Sequence, residues 1–196
     1  HEAERLEAAL PGLADRAGLP VVARRVADWS KPNGWSVLAG AEAISGDYLL
    51  MMSDHIFSAP ILAGLARQGG PGRGVTLAVD ARCENPLVDP DDATWVKRDG
   101  RGFISAIGKT ITTYDAVDCG AFLCTPELAE AIRGAIAEGK AGSLSEGMQR
   151  LADAGRAATW EIGGAWWLDV DEPRFHKLAE EQAPVELAEI YRSLNG

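Results

Sequence analysis

Apolar and polar positions change period several times along the chain, and each change predicts an element. Over residues 2–17 Leu6 and Leu10 fall one helical turn apart. Pro11-Gly12 punctuates that helix, and Gly18 suits the left-handed position just past its end. The run 20–26, PVVARRV, has the composition of a strand, and 30–36, SKPNGWS, is a loop by its Pro, Asn and Gly. A helix follows over 36–44, with Ser36 near its start. Residues 48–52, YLLMM, are apolar without a break and predict a strand buried on both faces. Polarity then flips to Ser53, Asp54 and His55. A helix over 59–68, a turn over 69–74 and a β-branched strand over 75–82 complete the first half.

Strands alternating with helices imply a mostly parallel central sheet covered on both faces, a Rossmann-like α/β three-layer sandwich. The middle of the chain breaks the alternation. Residues 93–108 have the pattern of a hairpin around Asp99-Gly100-Arg101-Gly102. Residues 116–125 predict another buried strand. The clearest helix is 125–139, with a cap, Pro126 at its first position, an early Glu and a terminal Gly. A second follows over 143–155, where Ser143 and Glu146 have capping-box spacing. Residues 158–173 predict two short strands around Gly163-Gly164, and the remainder is helical and amphipathic. Without repeat, low-complexity tract or linker, residues 1–196 are expected to form one domain. The chain opens on His1 already in a helical pattern with no cap before it, which predicts an N-terminally truncated domain.

Charge narrows the class of partner. A net charge of -10 argues against general affinity for nucleic acid or an anionic membrane, but leaves room for a nucleotide held by a local cluster and a metal. No run is long enough to span a membrane. The three cysteines, Cys83, Cys119 and Cys124, include no CxxC pair, so a reducing cytoplasm fits better than a disulfide framework or a zinc site.

Ligands of open α/β sheets bind at the carboxyl ends of strands. Asp54 falls there, with His55 beside it. Alone, such an Asp is more often a helix cap and such a His structural. A second apolar run, WWLDVDEP, also ends in carboxylates, Asp169 and Asp171. In an extended chain residues two apart share a side, and paired carboxylates suit a hard divalent cation. Two strand ends that each deliver Asp point to a metal–phosphate site. Lys109, beside Gly108, is placed to act as a point charge on a phosphate, or as an ordinary exposed strand-end lysine. Arg24 and Arg25 alternate across their segment, so only one can face inward. The loop Asn33-Gly34-Trp35-Ser36 enters a helix and offers amide donors to a base edge or phosphate, or forms a plain turn and cap. There is no GxSxG, HExxH or Walker loop.

Three stretches in this order, NGWSVLAGAEAISGDYLLMMSDHIF, IGKTITTYDAVDCGAFLCTPEL and WWLDVDEPRF, resemble the sugar-phosphate and MobA-like nucleotidyltransferases. The nearest likeness is to inositol-1-phosphate cytidylyltransferases, domains often joined to a CDP-alcohol phosphotransferase in phospholipid biosynthesis. The resemblance covers nearly the whole chain and implies a mixed central sheet. It implies transfer of CMP, or another NMP, from an NTP to a phosphorylated polyol, alcohol or sugar, with Mg²⁺ as cofactor and release of pyrophosphate. By the same resemblance Asp54, with Asp169 or Asp171, holds metal and Lys109 lies near the acceptor phosphate. Asn33, Gly34, Ser36 and His55 face the nucleotide, and Asp118 and Gly120 line the acceptor pocket. One departure is plain: these enzymes open with a strand and a Gly-rich loop around the NTP phosphates, which this sequence lacks. GGPGRG (69–74) lies between a helix and a strand, the reverse of the order a phosphate loop needs. The alternatives are a glycosyltransferase with a D-x-D metal site and a non-catalytic nucleotide-sensing domain.

Overall fold

In a computed structural model, residues 2–69 and 72–188 are described. His1, part of the predicted 69–74 turn and the last eight residues of the predicted C-terminal helical segment lie outside them. The elements are α1 (Ala3–Ala17), α2 (Gly34–Ala41), β1 (Tyr48–Met51), β2 (His55–Phe57), α3 (Ala59–Leu65), β3 (Val75–Asp80) and β4 (Trp95–Arg98). They continue with β5 (Ile104–Gly108), β6 (Ala116–Cys124), α4 (Glu127–Ala137), α5 (Leu144–Asp153), β7 (Ala157–Glu161), β8 (Trp167–Asp169) and α6 (Pro173–Glu186).

Six strands form one sheet in the order β5-β4-β6-β3-β7, with β1 also paired to β6, while β2 and β8 form a separate ribbon. β3 is the strand buried on both faces: all six of its residues are inaccessible. Val75, Leu77 and Val79 face a core shared with α2, α4 and α5, where Phe122, Leu128, Ile132 and Met148 pack. Ala78 faces the other way, toward Ile61 and Leu65 of α3 and Trp167 of the ribbon. Burying an aliphatic or aromatic side chain of this size contributes about 1.5–3 kcal/mol, so these two layers hold the sandwich together. α6 covers the ribbon through Phe175, against Trp166 and Leu168.

The α/β sandwich is the one expected, and its sheet is mixed. Among the described residues only β3 and β7 pair in parallel, whereas β6 runs antiparallel to β1, β3 and β4, and β4 to β5. The cause is β6, which is long enough to take β3 along one edge and both β1 and β4 along the other. The predicted hairpin is the antiparallel β4–β5 pair. The capping box is also formed: Ser143 Oγ accepts from Glu146 N at 3.2 Å, and Ser143 N donates to the Glu146 carboxylate at 2.8 Å.

Two predictions fail for the same physical reason, the lack of a covering neighbour. Residues 20–26 form no strand: no ladder lies beside them, and Val22 is 69 % exposed. β1 is a strand, but only Tyr48 and Leu50 turn inward, toward the α2/α4 core. Leu49 and Met51 are exposed. An apolar run therefore marked an extended segment correctly and its second covered face wrongly.

Candidate active site

The end of β1 sets up the site. Met52 N donates to Gly120 O at 2.9 Å, which ties the strand end to the middle of β6. The chain turns at 53–54 and enters β2, which pairs with β8 so that His55 stands directly opposite Asp169. Val170 N closes the ribbon end on Asp54 O at 2.9 Å. Two carboxylates distant in sequence are thus delivered to one place by backbone pairing.

His55 is fixed on several sides. Its Nδ1 lies 2.7 Å from Cys119 O. A carbonyl only accepts, so Nδ1 carries the hydrogen and donates it. The ring stacks on Trp167, with centroids 5.7 Å apart and planes at 23°. It also lies over Gly120, where a Cβ would stand 2.4 Å from Nδ1 and where φ is +76°. Both facts restrict position 120 to glycine. The other nitrogen, Nε2, is 3.2 Å from Asp169 Oδ2 and 3.9 Å from Asp54 Oδ1. Burial of the ring opposes its charged form, but the Asp169 carboxylate, the Cys119 carbonyl and the Asp118 charge outweigh it and raise its pKa above the ordinary value.

Asp118 lies on the same floor. Burial pushes its carboxyl up to about 6, although Gly120 N donates to it at 2.7 Å and His55 is near. Asp54 is exposed. Asp169 has one oxygen, Oδ1, that is buried without a hydrogen-bond partner. Ligand atoms of Asp54, His55 and Asp169 all lie within 4.8 Å of one another, as do those of Asp92, Asp169 and Asp171. Asp169 belongs to both groups. Burial, and then the neighbouring Asp169 charge, raises the Asp171 pKa.

The opposite wall comes from the loop after β3. Just before it Asp80, the last residue of β3, is fully buried and accepts two hydrogen bonds from the Arg82 guanidinium and one from Trp167 Nε1, each at 2.9 Å. Burial alone would raise the Asp80 pKa, but these donors hold it below the usual carboxylate value. The loop then brings Asp89 and Asp92 to the cavity, and Lys109 Nζ pairs with Asp92 at 2.5 Å. The cavity measures about 230 Å³, and Asn33, Asp54, His55, Lys109, Asp118, Gly120 and Asp169 all line it.

The loop 33–36 divides. Asn33 lines the cavity, and its Oδ1 accepts from Leu144 N at 2.9 Å, at the start of α5. Gly34 is pressed on the Gly142 carbonyl, where a Cβ would be 2.2 Å away. Trp35 Nε1 donates to Ala141 O at 3.0 Å. Ser36 points elsewhere, into a surface groove beside α1. Arg24 and Arg25 border that same groove, and Arg25 pairs with Glu7. Sequence reasoning missed Asp89, Asp92, Thr94 and Ser145, which also line the cavity. For the first three a signal existed: VDPDDATW places a cluster of acids, followed by Thr94, immediately before β4.

The structure is an α/β sandwich with carboxylates gathered at its strand ends and a lysine across a cavity. The chain superposes on the inositol-1-phosphate CTP transferase of T. maritima with a TM-score of 0.74, at 22% identity, over 90% of this chain and 72% of that one. No family model matches it. By sequence it is a homologue of curated proteins named "Bifunctional IPC transferase and DIPP synthase". It is 33% identical to that of Rubrobacter xylanophilus over 165 residues, 84% of this chain and 36% of the relative. It is 32% identical to that of Aquifex aeolicus over 143 residues, 73% of this chain and 30% of the relative. The chain spans about a third of the length of the curated relatives it matches. The resemblance carried by the three motifs thus holds in both sequence and fold.

Proposed function

We propose that this chain catalyses nucleotidyl transfer, with CTP as donor and a phosphorylated polyol such as inositol 1-phosphate as acceptor. An acceptor phosphate oxygen bonds to the α-phosphorus, the bond from that phosphorus to the bridging oxygen breaks, and pyrophosphate leaves with that electron pair. The acceptor is already a nucleophilic dianion near neutral pH, so no general base is needed. The protein's work is positioning and charge neutralisation. The observation that carries the reading is the convergence of Asp54 and Asp169 on one ribbon end, facing a cavity that also holds Lys109.

The residues fit a divalent cation, because Asp169 Oδ1 is buried without a partner and Asp169 shares one group of ligand atoms with Asp54 and His55 and another with Asp92 and Asp171. In this reading Asp54 and Asp169 hold Mg²⁺, Asp171 stands beside it, and the ion neutralises phosphate charge. Lys109 faces the acceptor phosphate, Asp118 and Gly120 floor the acceptor pocket, and Asn33 and His55 border the nucleotide.

The cavity is smaller than the roughly 300–1,000 Å³ of pockets that enclose a drug-sized ligand, and β1 has β6 as its one paired neighbour among the described residues. The proposal therefore includes a further strand and a phosphate-binding loop beside β1. It also includes fusion to a CDP-alcohol phosphotransferase domain, supported by the bifunctional names of the relatives. A reducing cytoplasmic setting fits the three free cysteines. No helix among the described residues is long and apolar enough to cross a membrane. The test is pyrophosphate release from CTP and inositol 1-phosphate with Mg²⁺. Silence with every NTP across a panel of phospho-alcohols, with turnover of a nucleotide sugar instead, would sink the proposal in favour of glycosyl transfer.

A further inference from the structure

His55 has a hydrogen-bonding problem that a metal solves. Its Nδ1–H is committed to Cys119 O at 2.7 Å, so in the neutral ring Nε2 is a bare lone pair. That lone pair faces two carboxylate oxygens, Asp169 Oδ2 at 3.2 Å and Asp54 Oδ1 at 3.9 Å. Acceptor against acceptor is repulsive, and either a proton on Nε2 or a metal cation relieves it. A proton on Nε2 would satisfy Oδ2 and leave Asp169 Oδ1 buried and unpartnered. All three residues offer ligand atoms within 4.8 Å of one another, so one ion reaches both carboxylates and the ring.

We propose that His55 is a direct nitrogen ligand, through Nε2, of the metal held by Asp54 and Asp169. Two features beyond distance favour this. A metal-ligating imidazole usually donates its other N–H to a carbonyl or carboxylate, which fixes tautomer and orientation, and Cys119 O does this here. The ring plane is clamped between the Trp167 indole and Gly120, so Nε2 is aimed without loss of side-chain freedom. A mixed nitrogen–oxygen set favours a first-row transition ion such as Mn²⁺ over Mg²⁺, which prefers oxygen. The inference rests on the metal site of the proposed function but not on which substrate is used.

The probe is Mn²⁺ alone. Pulsed electron paramagnetic resonance on the Mn²⁺-loaded protein should show nitrogen modulation from a directly bound imidazole. Growth with ¹⁵N-histidine should convert it from the ¹⁴N to the ¹⁵N pattern, with no substitution that risks the fold. His55→Gln should abolish the modulation and weaken Mn²⁺ binding about 10- to 100-fold, while His176→Gln, at an exposed position of α6, should change neither. Bound Mn²⁺ without nitrogen coupling would overturn the inference and leave the transfer reading intact. Failure of the wild type to bind Mn²⁺ would overturn it too. Pyrophosphate release, measured separately, decides the transfer reading by itself.

Discussion

Two walls of the cavity were marked by the same kind of sequence signal, polar residues at the edge of an apolar element, and they differ in how those residues are used. On the β2–β8 wall and the β6 floor beside it the polar groups are not fully satisfied within the protein. Asp54 is exposed, one oxygen of Asp169 is buried without a partner, and Asp118 is held with a raised pKa. On the Asn33–α5 wall the polar atoms satisfy one another. Asn33 accepts from Leu144 N, Ser143 and Glu146 close a capping box, and Trp35 reaches Ala141 O. A fold leaves buried donors and acceptors unsatisfied only at a cost. The first wall therefore has chemistry to offer a ligand, and the second mostly holds the shape of the cavity.

The largest test of that contrast is Asp169→Asn. It should lower pyrophosphate release by on the order of 10²–10³-fold, as loss of one transition-state charge contact does elsewhere. The folding midpoint in urea should stay close to wild type. Asp171→Asn should cost about tenfold, because Asp171 reaches only the second acidic group, with Asp92. Equal losses would shift the centre of the site toward Asp92.

Asp118 tests the same wall through pH. Its folded carboxyl is pushed up to about 6, above an unfolded value of about 3.9. The folded state therefore holds the proton more tightly, and stability falls as pH rises through that window. The penalty is absent below both values and complete above the folded one. Asp118→Asn keeps an acceptor for Gly120 N and removes the charge. With metal chelated, it should be more stable than wild type by about 3 kcal/mol at pH 7.5 and nearly equal to it near pH 3.5. Urea denaturation at the two pH values measures this. A variant less stable than wild type at pH 7.5 would place Asp118 with the satisfied groups of the other wall.

Lys109→Met should cost less. The ammonium is half exposed and already paired with Asp92, so it acts across water-screened distance. The expected loss is about tenfold in kcat/KM, read mostly in the KM for the acceptor phosphate. An equal loss in kcat alone would place the lysine on the transferring phosphate instead.

How much of this could be seen in the sequence follows from what each signal depends on. Asp54 and Asp169 stood out as candidates because two separate apolar runs each end in acids. Their meeting was not, because His55↔Asp169 pairing spans more than half the chain and belongs to a ribbon outside the main sheet. The capping box and the β4–β5 hairpin are local, and both were legible. Burial of β1 on two faces and a strand at 20–26 were over-read, since an apolar run reports the residue's preference and not whether a neighbour exists to cover it. The roles of Asp92 and Asp80 depend on a loop fold that no local spacing specifies.

The smallest effects fall on the satisfied wall, and there the two residues that sequence grouped together should separate. Asn33→Ala strands Leu144 N at the start of α5 and should lower stability by about 1 kcal/mol. Its effect on kcat should stay within about threefold, the range expected of a residue that shapes the cavity without touching the reacting atoms. Ser36→Ala should do almost nothing. Its side chain faces the groove beside α1 and is exposed, and exposed substitutions of this kind fall within about 0.5 kcal/mol. The measurement is the urea midpoint together with the KM for CTP in both variants. A raised KM for Ser36→Ala, with Asn33→Ala unchanged, would mean that the nucleotide crosses the α1 groove. The polar atoms of this wall would then count with those of the β2–β8 wall as ligand contacts.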